Sequence, residues 1–406
     1  MFWINFLHIY QPPDQKSEII KKVTNESYRP VLDFLIQYPQ IKITLNICGS
    51  LTEQLVQYGF TDILDKIKFL AERKQIELVG SAKYHPILPL IPSDEVFRQI
   101  RLNYRTNQKF LGKIFQPKGF YFPEMAYSPE VAKIVKISGF DWIILDEISY
   151  DPTNNQPLNP TNVYQIEKIG LKVIFRSREI SDAFINPTFK NISDFQKIIT
   201  KNKIKNVLIT AFDGENIGHH RPENLKLWPK LILDKSIKTQ TISEFIQAKK
   251  IILNTKIRSS SWASSERELK QQIPYLLWRN PNNPIHHLQW KMIFLVYRLL
   301  QQYQILDNQD IHNKVDQMWH SCQFWWASAT PWWDPSFIET KTRKIAQIIQ
   351  SQNKIPLDKK EQVGKIKKEI INLIWHWEKS GQARKIRQAY LSNQPYQKYF
   401  GGKIYE

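Results

Sequence analysis

The stretch NVLITAFDGENIGHH (206–220) decides how the chain is read. Its first half is a continuous apolar and β-branched run, the pattern of a strand buried on both faces in a parallel sheet. The strand ends on Asp213, Gly214 lets the backbone turn sharply, and Glu215, His219 and His220 follow at once. Such a cluster has three readings: metal ligands, a catalytic acid with its neighbours, or a polar turn closing a strand. The choice depends on how the other strands end.

Runs of the same kind recur at FWINFLH (2–8), KITLNIC (42–48), QIELVGS (75–81), GFYFPE (119–124), DWIILDE (141–147) and LKVIFRS (171–177). Most are separated by helix-like segments such as SYRPVLDFLIQY, LTEQLVQYGFTDILDKIKFLAERK and SPEVAKIVKISG. Strands alternating with helices predict an α/β fold with a parallel sheet. Seven strand–helix units without a glycine-rich dinucleotide fingerprint after the first strand favour a closed barrel over an open sheet. Chemistry in such barrels sits at the C-terminal strand ends. Here those ends carry His8, Asn46, Ser81 with His85, Glu124, Asp146 with Glu147, Arg176 and Asp213. Ionisable residues terminate nearly every strand.

From about residue 256 the texture changes to apolar residues at three-to-four spacing. SSSWASSERELKQQIPYLLWR, IHHLQWKMIFLVYRLLQQYQIL, DIHNKVDQMWHSCQFWWASA, DPSFIETKTRKIAQIIQSQ and EQVGKIKKEIINLIWHWEKSGQARKIRQAYL all read as helices. The expected organisation is a catalytic domain over 1–255 and a helical domain over 256–406 that contributes aromatic residues to the site. The polar insertion DPTNNQPLNPT (151–161) reads as a loop after the fifth strand.

Composition excludes several classes. Forty-two per cent of the 406 residues are hydrophobic, with 13 Trp, 17 Tyr and 21 Phe, so the chain can bury a core. Two distant cysteines, Cys48 and Cys322, make neither a disulfide framework nor a thiolate zinc site, as fits a reducing compartment. MFWINFLHIYQPP lacks the basic start of a signal peptide, and no apolar run approaches membrane-spanning length. A soluble, cytoplasmic protein without a membrane partner is expected. The net charge of +19 comes from lysines interleaved with acids and apolar residues, as on solvated helix faces, so no nucleic-acid partner is expected.

Glu124 lies in YFPEMAYSPE, where aromatic neighbours lower the local dielectric; a carboxylate facing the next helix is the alternative. Asp213 has an Asx-type turn as its alternative. Together at one mouth, two carboxylates meet the requirement of glycosidic bond cleavage: one ionised nucleophile and one protonated acid, held apart in pKa by burial and mutual repulsion. A metal or other cofactor is not expected. Asp213, Glu215, His219, His220, His8 and His85 show no spaced ligand motif, and adjacent histidines do not readily face one ion. His8 and Gln11 end the first strand before Pro12-Pro13. MWHSCQFWWASATPWWDP (318–335) concentrates Trp for packing, for stacking on sugar faces, or for both.

With these residues in view, the chain resembles glycoside hydrolase family 57. LHIYQPP, IELVGSAKYHPILPLI, GFYFPEMAYSPE, AFDGENIGHH and LLWRNPNNPIHHLQW are similar, in order, to five regions of that family. Tyr10 stands where a second His is common, and Tyr121 where Trp is frequent. The resemblance implies an incomplete (β/α)7 barrel followed by a helical region. It implies retaining action on α-glucans, with Glu124 as nucleophile and Asp213 as acid/base. It places His8, Gln11, His85, Tyr121, Arg176, Glu215, His219, His220, Trp262, Trp325 and Trp326 as substrate-binding candidates. Hydrolysis or transglycosylation, the linkage formed, the chain length preferred and the oligomeric state stay open. A metal-dependent carbohydrate deacetylase on a related barrel would want an Asp-Asp pair at the first strand and an H-x-x-x-H, and neither is here. A non-catalytic carbohydrate-binding protein would be expected to lack one carboxylate, and both are present.

Overall fold

The computed structural model describes residues 1–186, 191–249 and 252–392. The chain forms two compact units, Met1–Trp262 and Ala263–Glu406. The segment 256–262, expected to open the helical part, therefore belongs to the first unit. The last fourteen or so residues of the expected second domain, 393–406, lie outside the described residues. No helix among the described residues is long and apolar enough to cross a membrane.

The first unit has an α/β fold. Its strands are β1 (Phe2–Ile9), β2 (Ile43–Ile47), β3 (Ile76–Val79), β4 (Gly119–Phe120), β5 (Trp142–Asp146), β6 (Val163–Ile166), β7 (Lys172–Arg176), β8 (Val207–Asp213), β9 (Lys238–Thr239) and β10 (Ile252–Thr255). All seven strands read from sequence form. The continuous apolar runs are continuously buried, from Trp3 to Ile9 in β1, throughout β2, and from Val207 to Phe212 in β8. One sheet runs β3-β2-β1-β8, with β9 on the start of β1, and a second runs β10-β6-β7-β5-β4. A parallel bridge, Gly80 to Phe120, carries the chain of pairings from the end of β3 to β4. At the other side Ser177 N donates to Ile209 O of β8 at 2.8 Å.

Register sets the chemistry into layers. His8 pairs with Asn46 of β2 and with Asp213 of β8, and Asp146 pairs with Arg176. All these pairings are parallel, so the side chains lie together at C-terminal strand ends. β6 turns back antiparallel onto β7, with Lys168 and Gly170 at positive φ in the turn. Neither β6 nor β10 is in the sequence reading, because both are short and follow polar stretches.

The helix after β1 is interrupted by a π-helical turn at Thr24–Tyr28, between α segments Ser17–Val23 and Arg29–Gln37. Pro30 explains it. A proline there cannot donate to the Glu26 carbonyl four residues back, and its ring crowds that carbonyl. The widened turn relieves both, and Thr24, Ser27 and Tyr28 are buried within it. The helix expected over 51–74 is two, Gly49–Gln57 and Thr61–Glu72, separated where Gly59 adopts φ +79°.

In the second unit all regular structure among the described residues is helical: Glu266–Lys270, Pro284–Gln302, Gln309–Met318, Cys322–Trp326, Pro335–Gln350, Leu357–Lys379 and Gln382–Ser392. Asn283, Asn308 and Asp334 cap three of these through their side chains. Ile293, Val296, Ile338, Ile345, Val363 and Ile370 are buried within it. SSSWASSERELKQQIPYLLWR yields only the five-residue helix Glu266–Lys270. Its serine run stays extended, with Ser260 paired to Tyr127 on both its backbone groups.

Arg176 is the joint of the first unit. Its Nε donates to Asp146 Oδ2 at 2.6 Å, its Nη1 to Ala211 O at 2.8 Å and its Nη2 to Asp182 Oδ1 at 3.0 Å, with Arg176 and Asp146 almost wholly buried. Breaking one partner of a buried pair leaves an uncompensated charge. Arg176→Met should therefore destabilise the protein by about 3 kcal/mol, measured by urea unfolding. A loss below about 1 kcal/mol would mean that Arg178, 2.8 Å from Asp146 Oδ1, suffices alone.

Candidate active site

Glu124 is delivered by the turn after β4. It adopts φ +59° and the next residue, Met125, φ +48°. Consecutive left-handed residues with side chains cost about 1–3 kcal/mol each and persist only where the surroundings hold them. An extended strap over 256–262 does the holding. Tyr127 N donates to Ser260 O at 2.9 Å, Arg258 N to Ser149 O at 3.0 Å, and Trp262 N to Glu124 O at 3.2 Å. The strap ends by laying its indole on the carboxylate, with Trp262 Nε1 donating to Glu124 Oε2 at 2.8 Å. Below that ring sits the Arg176 guanidinium, 5.4 Å from its centre. Arg178 Nη2 holds Trp262 O at 2.9 Å.

The opposite side of the site comes from β1 and β8. His8 Nδ1 lies 2.8 Å from Asn46 Oδ1, while Asn46 Nδ2 faces the Val79 and Gly80 carbonyls. The amide oxygen is therefore the acceptor, His8 carries its proton on Nδ1, and Nε2 keeps a lone pair. Burial pushes the His8 imidazolium down to about 4, against the Asn46 hydrogen bond, so the ring is neutral near pH 7. His85 stacks on His8 at 4.8 Å and on Tyr10 at 4.2 Å, and its Nδ1 stands 3.7 Å from Glu124 Oε1.

Asp213 and Glu124 have different electrostatic surroundings. Burial raises Glu124 to about 7, opposed by the Trp262 N–H, although a fifth of its side chain stays open. Asp213 is raised well above the usual carboxylate range by burial, then by the charges of Glu215 and Glu124, with Arg176 opposing. Both carboxylates thus hold their protons more tightly than free ones, Asp213 with two like charges against it and Glu124 with an N–H donor that favours its ionised form.

Not every candidate faces the same space. Arg176 and Tyr121, expected to bind substrate, are instead buried supports: Arg176 is spent on Asp146, Asp182 and Ala211, and Tyr121 packs on Phe6, His8 and Trp262. Glu215 and Gln11 are buried against each other rather than presented to hydroxyls. His219 is bound to Glu26 at 2.7 Å, and His220 is exposed beside it. Trp325 and Trp326 lie half-buried on Cys322–Trp326 of the second unit, on Trp332 and Phe337 respectively. Asp182, Arg178, Glu26 and Tyr28 are absent from the sequence reading. Tyr28 alone of these had a local mark, its place two residues before Pro30.

Two carboxylates, Glu124 in the turn after β4 and Asp213 at the end of β8, thus stand on the C-terminal side of the parallel strands of an α/β fold. The profile of glycosyl hydrolase family 57 matches residues 5–257, and the chain belongs to that family. It is 26% identical to Alpha-amylase 1 of Dictyoglomus thermophilum over 227 residues, 55% of this chain and 31% of that protein. It is 33% identical to an alpha-amylase of Pyrococcus horikoshii over 150 residues, 36% of this chain and 23% of that one. The chain thus spans a third or less of these curated relatives. The crystal structure of a GH57-type branching enzyme from Pyrococcus horikoshii superposes with a TM-score of 0.67 at 15% identity, covering 92% of this chain and 95% of that one, which shows the fold.

The Glu124 environment has a stability consequence. Its folded proton affinity exceeds the unfolded one, so the unfolded chain releases this proton first. Stability then falls as pH rises from about 4.5 to about 7, and the penalty is complete above that window. Glu124→Gln keeps an acceptor for Trp262 Nε1 and removes the charge. At pH 8 it should unfold about 1–3 kcal/mol harder than wild type, an advantage that shrinks as the pH falls to 5. An equal gain at both pH values in thermal melts would refute the buried-charge account.

Proposed function

We propose that the protein is a retaining glycoside hydrolase or transglycosylase acting on α-glucans, with the seven parallel strands forming an incomplete (β/α)7 barrel. The observation that carries this reading is the pair of carboxylates in unlike surroundings: Glu124, with an indole N–H on one oxygen, and Asp213, whose proton is held by burial and then by two neighbouring carboxylates. Family membership supports it, as do relatives named for α-amylase activity.

In this mechanism Glu124 attacks the anomeric carbon while Asp213 gives its proton to the departing glycosidic oxygen. The Trp262 N–H favours the ionised form of Glu124 and aims its other oxygen at the sugar. Asp213, now ionised, takes a proton from water or an acceptor hydroxyl, which displaces Glu124 from the glycosyl-enzyme. His8, neutral and with Nε2 carrying a lone pair, accepts from a sugar hydroxyl. The stacked faces of Tyr10 and His85 supply an apolar platform beside it.

Incubation with maltoheptaose and with amylose, followed by size and linkage separation, tests the reading: shorter or transferred α-glucan chains are expected, with activity surviving chelation. Loss on chelation with recovery on zinc would instead favour a metal-dependent deacetylase-like chemistry. Roles follow from azide rescue. Glu124→Ala should be inactive alone and give a β-glycosyl azide with azide, since one displacement occurs. Asp213→Ala should keep turnover of a glycosyl fluoride and give the α azide. Reversed anomers would exchange the two assignments.

A further inference from the structure

The π-helical turn grips the loop behind the proposed acid at three consecutive residues. Glu26 Oε2 meets His219 Nδ1, Ser27 Oγ donates to Gly214 O at 3.0 Å, and Tyr28 donates its phenol proton to Glu215. The loop comes so close that a Cβ on Gly218, at φ +112°, would run into the Glu26 carbonyl. Glu215 Oε1 also faces Tyr10 N and Gln11 Nε2, each at 3.3 Å. One buried carboxylate oxygen thus collects three donors, the environment of an anion. That anion lies two residues beyond Asp213.

We propose that Tyr28 is a positioning residue: by holding Glu215 as a buried anion, it keeps the proton on Asp213 until the leaving oxygen takes it. The inference rests on the glycosidase reading above. The groups facing Asp213 are Glu215, Glu124, Arg176, Tyr28 and Tyr121, with His8 in register on β1. Glu215 and Glu124 favour the proton and Arg176 opposes it. Glu215 alone among the carboxylates here is held by donors from the π-turn and from the end of β1. Burial raises Glu215 to about 7 and its hydrogen bonds, Tyr28 foremost, pull it down. Without the phenol, Glu215 keeps its proton to a pH above neutrality and, where the wild-type group would be ionised, stops repelling charge on Asp213, which then loses its own proton at lower pH.

The test compares wild type with Tyr28→Phe, which keeps the ring and its packing, and with Gln11→Leu, which removes a different donor should the first variant fold poorly. The alkaline limb of kcat/KM on maltoheptaose should move down by about 0.5–1 pH unit in Tyr28→Phe, and less in Gln11→Leu. At pH 8 kcat on maltoheptaose should fall about tenfold with KM little changed, while turnover of α-maltosyl fluoride, whose leaving group needs no proton, should fall less than about twofold. An unmoved alkaline limb, or equal losses on both substrates in folded variants, would overturn the inference and leave a structural role. If the wild type turned over neither substrate, the glycosidase reading would fall and this inference with it.

Discussion

The Arg176–Asp146 pair is the constraint on which the rest of the first unit depends. A buried ion pair contributes little net stability by itself, because desolvation offsets most of the attraction. What it supplies here is geometry. One guanidinium joins the end of β7 to β5 through Asp146, to β8 through the Ala211 carbonyl and to the following helix through Asp182. Arg178 shares Asp146 and reaches the Trp262 carbonyl. The cation that ties the strands is thus also the floor under the indole that binds Glu124.

The two carboxylates are supported from opposite directions by unlike means. Glu124 is held from above by a strap whose backbone pairs with Tyr127 and Ser149, which sustains two left-handed residues that would otherwise relax. Asp213 is held from behind, through a loop gripped by a π-turn that exists because Pro30 cannot donate to Glu26. One support lowers the proton affinity of its carboxylate by giving a hydrogen bond. The other raises it by parking a second carboxylate nearby. Two chemically similar groups acquire different affinities from their neighbours alone.

Several polar residues near the strand ends turn out to serve others. Arg176, Tyr121, Gln11 and Glu215 each look, in a list of strand-terminal polar residues, as available as His8. His8 is as buried as they are; what sets Arg176, Gln11 and Glu215 apart is that their polar atoms are matched inside the protein, while Tyr121 is enclosed by Phe6, His8 and Trp262. Tyr10 gains importance for the complementary reason: it keeps part of its surface open and stacks its ring on His85.

The sequence by itself determined the seven strands, their parallel α/β character, the helical texture after the strap and the placing of Glu124 and Asp213 where two of those runs stop. These are local properties: an apolar run long enough to cross a buried sheet, a glycine where the chain must turn, an acid where the run stops. Tertiary structure alone decided what surrounds those acids. The strap over 256–262 reads as helix locally and is extended because it pairs with Tyr127 and Ser149, more than a hundred residues earlier. Tyr28 meets Glu215 across 187 positions of chain, and Trp262 meets Glu124 across 138. Proton affinity depends on burial and on charges brought close through space, and a linear pattern of residue types carries neither distance.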